Sequence, residues 1–221
     1  MNRITSTFVL VATISLFDGP AFAREPVVSM PSVDWKQCAY PQYPKSALKN
    51  EEEGLLFLGV HVDANGAVLE TKVLLSSGSR VLDETTELAF QKCRYMPGTV
   101  DGQAHQMWLP MQYFWTLEPS TGRLMQRLAK AALEGNARSR YVLGAILEIQ
   151  GKTERERSAS LELEFGAAEG GEAMAQLAVA AMYEHGTQVG KNLEEARRWY
   201  GLAAAQGNVI AIDRLRFIGA R

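Results

Sequence analysis

The sequence predicts an α+β domain with a small antiparallel sheet and two helices, followed by an all-α helix–turn–helix solenoid. Three observations predict it. Two runs of alternating apolar residues flank the turn Asp63-Ala64-Asn65-Gly66. A helical run and an aromatic strand complete the stretch Tyr43–Leu117. Gly135, Gly171 and Gly207 then recur at intervals of 36 residues, a period that belongs to helix–turn–helix solenoids.

Composition bounds the function. With 47% hydrophobic and 9% aromatic residues in 221, the chain has the material for packed cores. A formal net charge of −2 provides no basic field for nucleic acid or anionic lipid. Arg3, the apolar run Phe8–Phe17, the breakers Gly19-Pro20 and Ala21-Phe22-Ala23 form the pattern of a secretory signal peptide cut near Ala23. The alternative is an uncleaved anchor, but the run is far shorter than the roughly 20 residues of a spanning helix. The expected location is therefore the periplasm, with no membrane span after cleavage. Cys38 and Cys93 are the only cysteines. An even number in an oxidising compartment reads as one disulfide, the alternative being two buried thiols.

Residues 24–37, with Pro26 and Pro31 and no apolar periodicity, read as a tether to a domain spanning 38–118. Tyr40-Pro41-Gln42-Tyr43 is extended by its prolines, and Pro44 suits the first turn of a short helix ending near Asn50. Leu56, Leu58, Val60 and Val62 face one way along a strand, with Phe57 and His61 on the other side. Asn65-Gly66 turns the chain into Val68–Leu75. Asp83 is the expected N-cap of a helix over 84–94, whose buried side holds Leu82, Leu88, Ala89 and Cys93. Asp101-Gly102 makes a second turn, and Leu109–Leu117 is the last strand, with Met111, Tyr113, Trp115 and Leu117 on one face. Pro110 lacks a ladder donor and places this strand at an edge. In residues 119–221 the repeat predicts helices over 123–134, 137–149, 154–169, 173–184, 193–206 and 209–217.

The opening Tyr40–Ala47, the turn Asp63–Gly66, the runs Leu75–Gly78 and Cys93–Gly98, and the close Leu109–Tyr113 together resemble the TonB C-terminal domain family. Residues 125–217 resemble Sel1-like repeats, through Gly135-Asn136-Ala137, Leu143-Gly144 and Glu195–Tyr200. The resemblance implies a sheet of two or three strands backed by two helices. It also implies that an extended segment of an outer-membrane receptor adds as a strand along the last strand. Carried onto this chain, the partner site comprises Met111, Gln112, Tyr113, Phe114, Trp115, Thr116 and Leu117, with Tyr40, Pro41 and Gln42 beside it. An exposed sheet edge presents the unpaired main-chain groups that such a segment needs. No anchor or long proline-rich spacer is read between Ala23 and Cys38. The expected role is thus a periplasmic adaptor that binds one protein by strand addition and another through the solenoid. The alternatives are a TonB-type energy transducer and an envelope structural protein. A second copy of the chain is among the partners an open edge admits.

His61, His105 and His185 have no histidine or cysteine at ligand spacing, and Asp63-Ala64-Asn65-Gly66 lacks the remaining oxygen ligands of a calcium loop. Gly186–Gly190 lacks the lysine–serine continuation of a phosphate loop. No cofactor and no catalysis are expected. Within the last strand, Tyr113 and Trp115 are expected beneath the helices, with Phe114 the more exposed aromatic. Residues 38–118 carry six basic and ten acidic side chains and residues 119–221 fourteen and twelve, a contrast that favours docking of the two halves.

Overall fold

The computed structural model describes residues 26–117 and 122–218; the signal-peptide cleavage near Ala23 lies outside them. Among the described residues, no helix is long and apolar enough to cross a membrane.

The central sheet holds three antiparallel strands in the order β4–β3–β8, where β3 is Gly54–Val62, β4 is Val68–Leu75 and β8 is Met107–Trp115. Asp63 organises the β3–β4 turn, its carboxylate accepting the N–H groups of Asn65 and Ala67. Gly66 adopts φ +80°, and a Cβ there would lie 1.9 Å from the Tyr95 carbonyl oxygen. Only glycine meets both demands.

One face of the sheet packs on two helices, α1 (Lys45–Lys49) and α2 (Arg80–Gln91). Leu58, Val60, Val62, Phe90 and Tyr95 form one core there, and Ala47, Leu82 and Trp115 another. Burial raises the Tyr95 phenol to about 12. Helix α2 begins earlier than expected. Ser79 is its N-cap, and Asp83 in its first turn accepts the Ser77 N–H and the hydroxyls of Ser76 and Ser77. Leu88 is exposed, not buried: Leu82, Thr86 and Phe90 set the buried face of α2, and a residue two positions from both Thr86 and Phe90 points away from it.

The predicted tether is part of the fold. Its strands β1 (Val28–Ser29) and β2 (Ser32–Val33) pair with β6 (Gly98–Val100) and β5 (Tyr95–Met96), and β7 (Gln103–His105) closes a hairpin with β6 at Asp101-Gly102. Cys38 and Cys93 form a disulfide across 55 residues.

The described residues of the second half form six helices: α3 (Gly122–Leu133), α4 (Ala137–Gln150), α5 (Glu154–Glu169), α6 (Ala173–His185), α7 (Leu193–Ala205) and α8 (Val209–Ile218). Gly135, Gly171 and Gly207 have φ near +90°, +90° and +80° where one helix passes to the next, which spares a Cβ penalty at each repeat. Thr153 and Glu156 make a capping box at α5.

The solenoid covers the other face of the sheet. Leu55, Phe57, Leu75 and Trp108 share a single core with Leu124, Tyr141, Val142, Ile146 and residues further along the array. Phe57 and Tyr141 bring their rings to 5.3 Å. A register shift between Phe57 and Leu58 lets both Leu74 and Leu75 serve this core. The charge run at the end of α1 is equally structural. Glu51 pairs with Arg123 at 2.8 Å, Glu52 accepts the Ser79 hydroxyl, and Glu53 accepts the Leu117 N–H at 3.0 Å.

Candidate functional site

The last strand is an edge, and its alternation assigns its two sides. Strand β8 pairs with β3 in register from Gly54↔Trp115 to Val62↔Met107. The strand therefore starts at Met107, two residues before the expected start. Thr116 and Leu117 follow it and do not belong to the ladder. In an antiparallel strand the N–H and C=O of one residue point to the same side, and successive residues alternate. The Leu117 N–H turns toward Glu53, next to β3, whereas the Trp108 N–H is taken up by Asp213 of α8 at 3.1 Å. Even-numbered residues of β8 thus direct their main-chain groups outward. Pro110 falls in this set, where its missing N–H costs no ladder bond. Gln112 and Phe114 carry outward N–H groups, and among the described residues β3 is the only strand that β8 pairs with.

The side chains divide by the same rule. Met111 and Tyr113 are half-buried on the α1/α2 face, and Trp115 is buried there, its indole N–H donating to Thr86 at 2.9 Å. Pro110 and Gln112 are exposed, as is Thr116. Phe114 corrects the expectation of an exposed aromatic: it is half-buried against the solenoid core, because the face it occupies is covered.

The opening segment lies against this strand. The Tyr113 hydroxyl donates to the Pro41 carbonyl at 3.5 Å, and Pro41 is buried. Tyr43 packs edge-on against Trp115 at 4.8 Å and donates its hydroxyl to the Glu52 carbonyl. Burial raises both phenols, with further contributions from Glu53 and Glu52 at Tyr43 and from Tyr40 at Tyr113. Gln42 is exposed. Tyr40 is 62% exposed and stacks on the half-exposed Trp35 at 5.3 Å, which in turn meets Phe90 edge-on. The structure thus brings Tyr40, Pro41, Met111, Gln112, Tyr113 and Trp115 into one region beside the outer edge. Two residues of this neighbourhood escaped the sequence reading: Trp35, in a stretch without periodicity, and Asp213, a carboxylate in a helical repeat.

Residues 39–115 match the family model for the Gram-negative bacterial TonB protein C-terminal, and residues 171–208 match the Sel1 repeat. The first half is a TonB C-terminal domain. A run of Sel1-like helices follows it. Protein TonB of Vibrio cholerae is 31% identical over 75 residues, covering 33% of this chain and 31% of that protein. Protein tonB2 of Pseudomonas aeruginosa is 33% identical over 69 residues, covering 31% and 26%. Protein TonB of Xanthomonas campestris is 40% identical over 63 residues, covering 28% of each. The chain thus spans less than a third of the length of these curated relatives. A crystal structure of a Sel1 repeat protein from Oxalobacter formigenes is 27% identical, covers 40% of this chain and 67% of its own, and superposes with a TM-score of 0.38.

Proposed function

We propose that this is a periplasmic protein-interaction protein whose TonB C-terminal domain takes an extended segment of an envelope partner as a fourth strand along β8. The outward N–H groups of Gln112 and Phe114, on a strand with one neighbour, carry this reading. Main-chain hydrogen bonds would hold the segment, and Tyr40 and Trp35 would read its side chains. The solenoid offers a second protein-binding surface, and no step of this function calls for catalysis or a cofactor.

Proline at position 112 or 114 tests the strand addition. Each substitution deletes one outward N–H and spares the inner ladder, as Pro110 does naturally. Binding to an array of outer-membrane receptor segments should fall at least about tenfold for the double variant, since it loses two hydrogen bonds. Unchanged binding by the folded double variant would refute it.

Two roles share this site. The likeness to three TonB proteins favours energy transduction for outer-membrane transport over a free adaptor. Mass spectrometry of protein taken from cells separates them: an N-terminus at Arg24 supports the adaptor, and a retained leader supports the transducer.

A further inference from the structure

Helix α8 runs from the loop at Gly207, whose carbonyl accepts the Lys72 ammonium of β4 at 3.4 Å, to the opposite edge of the sheet, where Asp213 receives the Trp108 N–H. Gly59 makes the close approach there possible. A Cβ at that position would sit 3.1 Å from the Trp108 ring, which stacks on His61 at 4.8 Å. Asp213 is 5% exposed. Its neighbour Arg214 is also buried, pairs with Glu184, and donates to the Met30 sulfur at 3.0 Å. The Tyr200 hydroxyl joins the same carboxylate at 2.7 Å. Asp213 is therefore held in place by a packed helix, and it does what the carbonyl of a neighbouring strand would do at Trp108.

We propose that Asp213 is a specificity-determining residue that sets the register and length of the segment β8 accepts; the inference rests on the strand-addition reading. With the Trp108 N–H occupied and Pro110 without one, the first outward donor an incoming strand meets is Gln112. A segment is confined to the stretch beside 110–114, because residues reaching toward Trp108 find its N–H already taken by Asp213. The solenoid thereby selects short extended segments, or segments whose polypeptide turns away from the sheet beside Pro110.

Amide exchange on the full chain tests the cap without a ligand. The Trp108 amide should exchange at least about tenfold more slowly than those of Gln112 and Phe114, and Asp213→Ala should abolish the difference while Asp213→Asn, which retains an acceptor oxygen, preserves it. Equal exchange of the three amides in the unaltered protein would overturn the inference. Peptides of alternating Thr and Val, four to eight residues long with terminal lysines, test the selection. Affinity for the unaltered protein should stop rising near five residues, and for Asp213→Ala it should rise a further fivefold or so by seven. Binding with the same length dependence in both proteins sinks the role of Asp213 and leaves strand addition standing. No binding at any length sinks both.

Discussion

In the α4–α5 interface the Ser160 hydroxyl faces two acceptors, the Glu164 carboxylate at 3.2 Å and the Gly144 carbonyl at 2.9 Å. The Ser160 hydrogen bond favours the charged carboxylate, and burial of the group opposes and outweighs it. Burial raises this carboxyl to about 7, with the nearby charge of Glu148 adding to it. From the ordinary carboxyl range up to about 7, the folded protein retains a proton that the unfolded chain gives up. The contribution of Glu164 to stability is consequently greatest at low pH, falls with rising pH through this window, and levels off above it. The span is about 3 kcal/mol. Urea titrations at pH 5 and pH 8 should show the loss in the unaltered protein and a much smaller one in Glu164→Gln. A flat profile for the unaltered protein would contradict it.

The disulfide predicts a second effect. Closing a loop of 55 residues stabilises by about 4 kcal/mol in the chain-entropy model. Replacing Cys38 and Cys93 by serine should lower Tm by roughly 10 °C, measured by calorimetry against the oxidised protein. The segment 34–43, which carries Trp35 and Tyr40, should lose protection from amide exchange first.

Gly66 and Gly78 form a natural control pair. Both have positive φ, but a Cβ at Gly66 would strike the Tyr95 carbonyl, whereas nothing lies within 4 Å of one at Gly78. Gly66→Ala should destabilise by more than about 2 kcal/mol and Gly78→Ala by only about 1 kcal/mol, the strain of the backbone alone. Equal costs would mean that the turn relaxes away from Tyr95.

Tyr141 tests the shared core. It is 3% exposed and packs on Phe57 across the two halves. Tyr141→Ala should cost roughly 3–5 kcal/mol, and it should lower the denaturation midpoint reported by the sheet tryptophans as much as that reported by helical circular dichroism. Separate transitions for the two signals would show that the halves unfold independently.

Much of this architecture is legible in the residues. The 36-residue spacing places the solenoid helices almost to the residue, because each repeat must end a helix on a glycine with positive φ. Alternation likewise assigns Leu58, Val60 and Val62 to one face. It does not reveal what covers the opposite face, so Phe114 reads as exposed when it packs on the solenoid. Strands of two residues, such as Val28–Ser29 and Ser32–Val33, are too short to show a period at all. Ser79 shifts the start of α2 because a serine caps as well as an aspartate, and Asp83 is engaged with Ser76 and Ser77. The part played by Asp213 depends on a main-chain group 105 residues away, which no local pattern records.

Strand β8 is tied to the helical array at both of its ends. Beyond Trp115 the chain runs on through Leu117 into α3, and at Trp108 it is gripped by α8. The array acts as a clasp whose two jaws close on the same strand. A pull applied along that strand by a bound partner would therefore pass into the array at α3 and at α8, and the sheet alone would not have to bear it.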